Sequence, residues 1–258
     1  MSKTILVIGD TQVKPGESQD HIEHIGQYIV DKRPDIIVCI GDWFDFPSLS
    51  SYDKGKKSFE GRRLIEDLRV GHEAMVKLLA PLKKLQMNQS LYRKKIYKPR
   101  MVFTMGNHCD RYDRLANDMP ELSGFVGTET LNLEQYGWEV HPFLKPVEIE
   151  GIFFVHYLAN PMTGRPYSGT ALAQLKTVGR SFVAGHKQCL DMAIHPTLDG
   201  KLQVGVINGA SYPFDEAYKG YQGNSHFRGI MVLHEVKDGS ALPMPVSLNF
   251  LKDKYGKN

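Results

Sequence analysis

The stretch MGNHCDR at residues 105–111 follows directly on the apolar run RMVFT at 100–104. A short apolar run that ends at a glycine predicts a buried strand, so the polar residues after it lie at the end of a sheet. An amide, an imidazole, an acid and a guanidinium occur here in close succession. Because α/β folds place functional side chains at such strand ends, this stretch predicts an α/β fold with its chemistry there.

Four other apolar runs end in polar residues of the same kinds. They are ILVIG at 5–9 before Asp10 and Gln12, IIVCI at 36–40 before Asp42 and Asp45, IFFV at 152–155 before His156, and SFVA at 181–184 before His186 and Gln188. Each residue alone is as easily a turn former or a core histidine. Carboxylates, amides and imidazoles are also the ligands that divalent cations take, so five such strand ends together predict a metal centre.

Composition limits the class of protein. A chain of 258 residues with 41% hydrophobic residues can bury a full core, and we expect one domain spanning 1–258. A net charge of +3 is too small to predict nucleic-acid binding over the whole surface. Three cysteines without paired spacing favour a reducing compartment. No signal peptide precedes the first strand and no run approaches the roughly 20 apolar residues of a membrane span, so we expect a soluble cytoplasmic protein without a membrane partner.

The order of elements predicts how the sheets form. A strand at 4–9, a helix ending before Pro34 and a strand at 36–40 make a βαβ unit with parallel neighbouring strands. Residues 46–99 hold a loop and a long helical pattern at 60–85, and we predict that they form a helical cap or insertion. Residues 138–148 and 152–157 are predicted as an antiparallel pair. The later runs at 190–194, 202–207, 228–236 and 246–250 predict strands of a second, mainly antiparallel sheet.

One segment is strongly basic. Residues 83–100 carry seven Lys and Arg residues, with Tyr92 and Tyr97 between them. Such a segment could bind a phosphate backbone. A solvated face between a helix and a buried strand explains it equally simply and is the commoner case.

The ordered motifs resemble those of the calcineurin-like metallophosphoesterases. They are Asp10-x-Gln12, GDWFD at 41–45, GNH at 106–108, His156, and Gly185-His186-x-Gln188. The resemblance covers residues 4–211 and rests on five short motifs in the right order. It implies a four-layer α/β/β/α sandwich of two mixed sheets flanked by helices, with the metal site at the C-terminal ends of the strands.

The resemblance also implies a role for each motif residue. Asp10, Gln12, Asp42 and Gln188 would lie at the first metal, with Asp42 shared, while Asn107, His156 and His186 would complete the second. His108 would be the general acid, oriented by Asp45. Arg111 could reach the phosphate, since guanidinium is its natural bidentate partner, and Asn107 would contact substrate as well.

Three departures from the family pattern bear on the metals. The family usually has histidine at the positions of Gln12 and Gln188, and an acid directly after the histidine where this chain has Cys109. Both glutamines fall on the first metal. An amide oxygen is a harder and weaker ligand than imidazole, so we expect two divalent ions with a weak first site, Mn²⁺ ahead of Mg²⁺, Fe or Zn²⁺.

The predicted activity follows from this centre. We expect a metal-dependent phosphoesterase that hydrolyses a phosphodiester, in a nucleic acid or a nucleotide, by in-line attack of metal-bound water or hydroxide. Two alternatives stay open at this stage: a phosphomonoesterase acting on a small phosphorylated metabolite or a protein, and a catalytically weakened metal-binding interaction module. The sequence leaves the oligomeric state open.

Overall fold

The computed structural model describes residues 1–216 and 219–256. Residues 217, 218, 257 and 258, which the single-domain prediction includes, lie outside the described residues. The strands are β1 (Lys3–Ile8), β2 (Ile36–Cys39), β3 (Arg100–Thr104), β4 (Glu139–His141), β5 (Val147–Ile149), β6 (Ile152–Val155), β7 (Phe182–Ala184), β8 (Asp191–Pro196), β9 (Leu202–Ile207), β10 (Gly229–Lys237) and β11 (Ser240–Ser247). The helices are α1 (Asp20–Lys32), α2 (Leu64–Leu91), α3 (Asn107–Asp118), α4 (Ala171–Val178), α5 (Gly220–Asn224) and α6 (Leu248–Tyr255).

The strands form two mixed sheets. The first sheet has the order β11-β10-β1-β2-β3-β4, with β1 to β4 parallel and β10 antiparallel to both of its neighbours. The second sheet has the order β5-β6-β7-β9-β8, with β6, β7 and β9 parallel and the two edge strands antiparallel. Parallel neighbours end at the same edge of a sheet, so β1, β2 and β3 deliver the residues after them to one place.

The two sheets pack face to face between helices. Along β1 the side chains alternate: Ile5 and Val7 belong to the core between the sheets, while Leu6 and Ile8 belong to the core under α1, α2 and α6. Helix α4 covers the other face of the second sheet, where Leu175 joins a smaller cluster. The predicted α/β/β/α arrangement of two mixed sheets flanked by helices is therefore confirmed.

The predicted antiparallel pair at 138–148 and 152–157 is confirmed only where β5 pairs with β6, and the predicted sheet of the last strands was wrong. Residues 138–148 do not form one strand, because β4 pairs with β3 in the first sheet and β5 pairs with β6 in the second. Pro142 and Pro146 lie between β4 and β5, and proline cannot donate to a strand ladder. The last strands, β10 and β11, extend the first sheet instead of the second. Residues 248–250 are helical, with Ser247 accepting a hydrogen bond from the Phe250 N–H at 3.1 Å.

Helix α2 is the longest element and runs the full height of the sandwich. Its 28 residues correspond to about 42 Å, and it continues through Gly71 and Pro81. Gly71 faces the Phe44 ring so closely that a Cβ there would lie 2.0 Å from a ring carbon, which accounts for the glycine. Among the described helices none is long and apolar enough to cross a bilayer. The assignment of residues 46–99 to a helical cap or insertion stays a prediction.

Candidate metal centre

The five motifs meet at one end of the sandwich. In the first sheet, β1, β2 and β3 bring residues 10–12, 42–45 and 106–111 together, and the Gln12 N–H donates to the Asp42 carbonyl at 2.8 Å. In the second sheet, β6 and β7 bring the other two motifs together, and the Gly185 N–H donates to the His156 carbonyl at 2.8 Å. The centre therefore lies between the C-terminal ends of strands from both sheets.

Two motif glycines allow the carboxylates to lie against the neighbouring backbone. A Cβ on Gly106 would lie 2.1 Å from Asp42 Oδ1, and one on Gly185 would lie 2.5 Å from Asp10 Oδ1. Both distances are far below contact distance, so any other residue would displace a candidate ligand. Gly106 and Gly185 are thus required because a carboxylate from another motif occupies the place where their side chains would be.

Several candidate ligands lie in the left-handed region of backbone space. The non-glycine residues concerned, with their φ angles, are Gln12 (43°), Asp42 (47°), His186 (65°) and Gln188 (56°). Such conformations cost of order 1 kcal/mol or more and cluster at functional sites. Four such residues in one centre indicate that the backbone adopts these conformations in order to point the candidate ligands into the centre.

Four of the candidate ligands form a compact cluster, which we call the closed half: Asp42, Asn107, His156 and His186. The His156 Nε2 atom lies 3.1 Å from Asp42 Oδ2 and 2.8 Å from Asn107 Oδ1. The Asn107 oxygen also accepts a hydrogen bond from His186 Nδ1 at 2.8 Å. Potential ligand atoms of Asp42, His156 and His186 all lie within 4.8 Å of one another. Donor atoms from four separate motifs thus converge on a space the size of one ion.

The titration properties of the closed half depend on its burial and its charges. Burial opposes charge on Asp42, but His156 and His108 hold the pKa of that carboxyl below its usual range. Burial also opposes the charged form of His156, yet Asp42 outweighs it and raises the pKa of His156 to about 9. Burial and the neighbouring His156 lower the pKa of His186 to about 4. Protonated His156 carries a hydrogen on each ring nitrogen, and its Nδ1 donates to the Ile40 carbonyl at 3.0 Å. Its Nε2 therefore carries a proton, whereas a metal ligand needs a lone pair on that atom.

The other side of the centre, which we call the open half, consists of Asp10, Gln12, Gln188 and Asn208. Asp10 Oδ1 accepts a hydrogen bond from the His186 N–H at 3.1 Å, but Asp10 Oδ2 and both polar atoms of the Gln12 side chain are buried without a partner within residues 1–216 and 219–256. Burial raises the pKa of Asp10. Gln188 differs, since its Oε1 accepts from the Tyr212 hydroxyl at 2.8 Å. Buried polar atoms without partners are costly, so the open half is arranged for a ligand of its own.

Asn208 belongs to this half, although the sequence analysis did not predict it. It follows β9, is fully buried, and has no hydrogen-bond partner for either side-chain polar atom in the described part of the chain. Its N–H donates to the Ala184 carbonyl at 2.7 Å, and a Cβ on Gly9 would lie 2.9 Å from its Nδ2, so it lies beside the Asp10 motif. The available signal was its position directly after an apolar run, the same position that marked the other candidates.

The donor set fits divalent cations. The closed half offers carboxylate, amide and imidazole donors, and the open half offers carboxylate and amide donors with unsatisfied atoms. Oxygen donors without imidazole suit hard cations such as Mg²⁺ and Mn²⁺. The residues of the closed half therefore fit a divalent ion.

His108 lies beside the cluster, at the first turn of α3. Its N–H donates to Asp42 Oδ1 at 2.8 Å, and its Nδ1 donates to Asp45 Oδ1 at 2.7 Å. Arg111, one turn along the helix, donates from Nη2 to His108 Nε2 at 3.1 Å and from Nη1 to the Asp45 carbonyl at 2.9 Å. Burial opposes protonation of His108, but Asp42 and Asp45 raise its pKa. The structure thus places three predicted catalytic and substrate-binding side chains in mutual contact.

Two further residues of this helix stand apart from the metal cluster. Cys109 is fully buried, and burial raises the pKa of its thiol to about 12, so it remains a thiol at neutral pH. Asp110 forms an ion pair with Arg114 at 3.2 Å along the same helix. Asp110, the acid that follows Cys109, therefore has no side-chain contact with the cluster among the described residues.

The basic segment lies at the opposite end of the sandwich. Residues 92–99 precede β3, while the candidate ligands follow it, and the Tyr97 hydroxyl donates to the Pro34 carbonyl below the start of β2 at 2.6 Å. The segment that could bind a phosphate backbone therefore lies away from the candidate metal ligands.

Comparison with known proteins places these observations among related sequences. The chain is 28% identical over 191 residues to the Gene 54 protein of Mycobacterium phage D29 and 27% identical over 191 residues to that of Mycobacterium phage L5. Each match covers 72% of this chain and 69% of the relative. The crystal structure of TT1561 of Thermus thermophilus matches with 9% identity and a TM-score of 0.36, over 95% of this chain and 99% of that chain. The sequence model of the family described as calcineurin-like phosphoesterase matches residues 3–195, which include all the ligands predicted from sequence.

Proposed function

The chain belongs to the calcineurin-like phosphoesterase family, a family of metal-dependent phosphoesterases, and on that premise we propose that it hydrolyses a phosphodiester in a nucleic acid or nucleotide. The observation that carries the proposal is the closed half, where Asp42, Asn107, His156 and His186 converge within hydrogen-bonding distance. Phosphodiester hydrolysis requires concentrated positive charge near the phosphorus atom, and this cluster can hold a metal ion that supplies it.

Two divalent ions are proposed, with Mn²⁺ preferred over Mg²⁺, Fe or Zn²⁺. Asp42, Asn107, His156 and His186 would hold one, and Asp10, Gln12, Asp42 and Gln188 the other. When bound, such ions supply charge that stabilises the phosphoryl oxygens in the transition state and generate a nucleophile from water. The amide oxygens of the open half favour a hard cation and weaken its binding, since neither glutamine offers an imidazole nitrogen.

His108 is the proposed general acid. Its Nδ1 is held by Asp45, and its Nε2, 3.9 Å from Asp42 Oδ2, is the atom that would deliver a proton to the leaving oxygen. Asp45 orients the ring and stabilises its protonated form, the part that a carboxylate plays when it is hydrogen-bonded to a catalytic imidazole. The raised pKa of His108 supports this role, because an acid must carry its proton near neutral pH.

Arg111 would bind the phosphate. Its Nη2 donates to His108 Nε2, which is the atom that must carry the acid proton. A guanidinium prefers an anionic phosphate oxygen over a neutral imidazole, so substrate would draw Arg111 away and free Nε2 for protonation. Asn107 would contribute its Nδ2 to the substrate, since its Oδ1 would be the atom that holds the ion.

A diester is favoured over a monoester by the charges around the centre. A monoester carries close to two negative charges at neutral pH and a diester one. Lys14 borders the site, 3.8 Å from Asp45, but it is paired with Glu216 at 2.6 Å. Arg111 adds one positive charge beside His108, which matches the single charge of a diester.

The weakened metal-binding interaction module remains the competing candidate, because Gln12 and Gln188 replace two imidazoles of the family pattern. The His108–Asp45 contact at 2.7 Å counts against it, since an interaction module has no need of an oriented proton donor. The two candidates differ in what a single substitution does to turnover.

The test measures hydrolysis of a chromogenic phosphodiester and the matching monoester with Mn²⁺, Mg²⁺ or EDTA. We expect turnover that requires the metal and favours the diester. His108→Ala should lower it by about 10²- to 10⁴-fold while Mn²⁺ binding is kept. His141→Ala, which alters a histidine paired with Glu139 on β4, serves as the matched control and should retain activity.

Two results would count against the proposal. Absence of metal-dependent turnover with either substrate, in protein that binds Mn²⁺, would favour the interaction module. An identical rate in wild type and His108→Ala would remove the general acid from the mechanism.

A further inference from the structure

The basic residues of this chain are unevenly distributed. Residues 74–109 contain eight Lys and Arg residues and no Asp or Glu. The whole chain has 32 basic and 29 acidic side chains. Outside this segment 24 basic and 29 acidic side chains remain, an acidic excess of five. The positive charge of the protein is therefore concentrated in α2 and the loop that joins it to β3.

The structure holds this segment in a fixed position at the end of the sandwich opposite the metal centre. The Gln89 side chain accepts a hydrogen bond from the Tyr97 N–H at 2.8 Å, and Gln86 donates to the Tyr97 carbonyl at 2.9 Å. Together with the bond from the Tyr97 hydroxyl to Pro34, these contacts tie the loop to α2 and to the start of β2. The loop therefore presents a defined surface.

That surface, which we call the basic end, consists of exposed side chains from residues 83–98. Its cations are Lys83, Lys84, Arg93, Lys94, Lys95 and Lys98, and none of them forms an ion pair with any described residue. Four large apolar or aromatic side chains are exposed among them: Met87 (69%), Leu91 (72%), Tyr92 (69%) and Ile96 (48%). The four apolar side chains lie close together in sequence among six cations, so this surface is both apolar and cationic.

We propose that the basic end docks a single-stranded nucleic acid, separately from the metal centre. Unpaired lysines fit the phosphate backbone, and the exposed Tyr92 ring, with the Lys94 Nζ atom 6.0 Å from its centroid, offers a face on which a base can stack. This inference rests on the proposed function for one point only, that the docked strand is also the substrate.

An anionic lipid surface is less favoured by the pattern of side chains. A helix that lies in a membrane interface separates an apolar face from a charged one. Here Lys83, Met87 and Leu91 follow one another at four-residue spacing on one face of α2, so charged and apolar side chains are mixed. Mixed contacts suit a strand that offers phosphates and bases alternately.

The distance between the two surfaces sets a requirement on substrate length. Gly71 of α2 lies against Phe44 of the metal-centre motif, and Leu91 lies 20 residues further along the helix, about 30 Å away. At the 3.4 Å spacing of nucleotides in a B-form strand this corresponds to about nine nucleotides. A dinucleotide can reach only one surface, and a strand of about 20 nucleotides can reach both.

The test compares two triple variants with the same loss of charge. Lys84→Gln/Lys94→Gln/Lys95→Gln alters the basic end, and Lys176→Gln/Lys237→Gln/Lys252→Gln alters three exposed lysines elsewhere. Fluorescence anisotropy in EDTA measures binding of a labelled single strand of about 20 nucleotides over a salt series, without hydrolysis. We expect about tenfold weaker binding and a shallower salt dependence for the basic-end variant, and near wild-type binding for the control.

Hydrolysis separates this inference from the proposed function. With Mn²⁺, the basic-end variant should cleave the long strand more slowly than wild type and the chromogenic diester at the same rate. Equal binding and equal cleavage of the long strand by both triple variants would overturn the docking site while leaving the hydrolase intact. Normal binding by wild type with no cleavage of any diester would instead refute the proposed function. A lipid surface would replace nucleic acid as the partner if wild type failed to bind the strand and instead sedimented with phosphatidylglycerol vesicles. The basic-end variant would then have to lose this sedimentation, and the proposal would be overturned.

Discussion

The two halves of the candidate metal centre differ in how far the protein satisfies its own polar groups. In the closed half, the protonated His156 Nε2 lies between oxygens of Asp42 and Asn107, so a proton supplies the positive charge that a metal would bring. In the open half, Asp10 Oδ2 and the Gln12 amide have no such partner among the described residues. The closed half therefore satisfies its polar groups without an ion, whereas the open half leaves polar atoms without a partner among the described residues.

This difference explains why two glutamines need not abolish the first site. Replacing imidazole by an amide weakens a ligand, but it adds neither a charge nor a bulky group that would close the space. Asp10 Oδ2 is buried without a partner among the described residues, and a cation would neutralise the carboxylate there. We therefore expect the closed half to bind its ion first and the open half to fill at higher concentration.

The substitution with the largest expected effect is Asp42→Asn, because Asp42 lies in the closed half and is also the proposed shared ligand of the ion in the open half. It removes the negative charge that pairs with His156 and contacts the His108 backbone N–H, while the side chain keeps its shape. We expect diester hydrolysis to fall by about three orders of magnitude and Mn²⁺ binding, measured by electron paramagnetic resonance, to weaken at both sites.

Asp110→Asn is the matched control, since it alters a carboxylate on the neighbouring helix that pairs only with Arg114 in the described structure. It should change neither quantity more than about twofold. Unchanged Mn²⁺ binding in folded Asp42→Asn would mean that the two halves share no ligand, and the comparison between them would no longer describe one centre.

A smaller effect in the opposite direction is expected from Gln12→His. The new imidazole replaces an amide whose polar atoms have no partner in residues 1–216 and 219–256, so it can bind an ion without breaking a contact seen there. Zn²⁺ affinity of the weaker site should rise by about tenfold, measured by competition with a chromogenic chelator. Gln135→His, at an exposed position distant in sequence, controls for the addition of a histidine.

Gln188→His should gain less, because Gln188 Oε1 already accepts a hydrogen bond from Tyr212. Equal gains at positions 12 and 188 would show that the contact with Tyr212 does not restrain the second amide. No gain at either position would show that the open half is not a metal site.

The sequence was sufficient where a local pattern determines the structure. The apolar runs before Asp10, Asp42, Asn107, His156 and His186 are strands with parallel neighbours, so their ends meet within each of the two sheets. The position of the motifs at strand ends thus followed from periodicity and from the parallel βαβ connection.

The sequence was insufficient where the outcome depends on distant partners. The pairing of β10 with β1 spans more than 200 residues, and no local pattern distinguishes it from pairing in the second sheet. Asn208 resembled an ordinary turn residue, and only its burial beside Gly9 and Ala184 sets it apart. The bond between Tyr212 and Gln188 likewise depends on how two separate loops pack.

The smallest expected effect is a pH dependence of the increase in Tm that Mn²⁺ produces. It distinguishes the two halves, because His156 of the closed half titrates in the range concerned. The folded-state pKa of His156 is raised to about 9, above its ordinary value of 6.5, so its protonation stabilises the metal-free fold fully below about pH 6.5. That contribution is lost as the pH rises through about 9. Metal binding needs His156 neutral, so Mn²⁺ competes with this proton and gains affinity as the pH rises.

The increase in Tm on adding Mn²⁺ should therefore grow by a few degrees between about pH 6.5 and pH 8.5, measured by scanning calorimetry against samples in EDTA. His186 does not contribute to this slope, because its pKa of about 4 keeps it neutral throughout. In His156→Asn the remaining increase should be independent of pH. A constant increase in wild type would mean that the proton on His156 and the ion do not compete for one place, and the closed half would then be a hydrogen-bonded cluster beside the metal rather than its binding site.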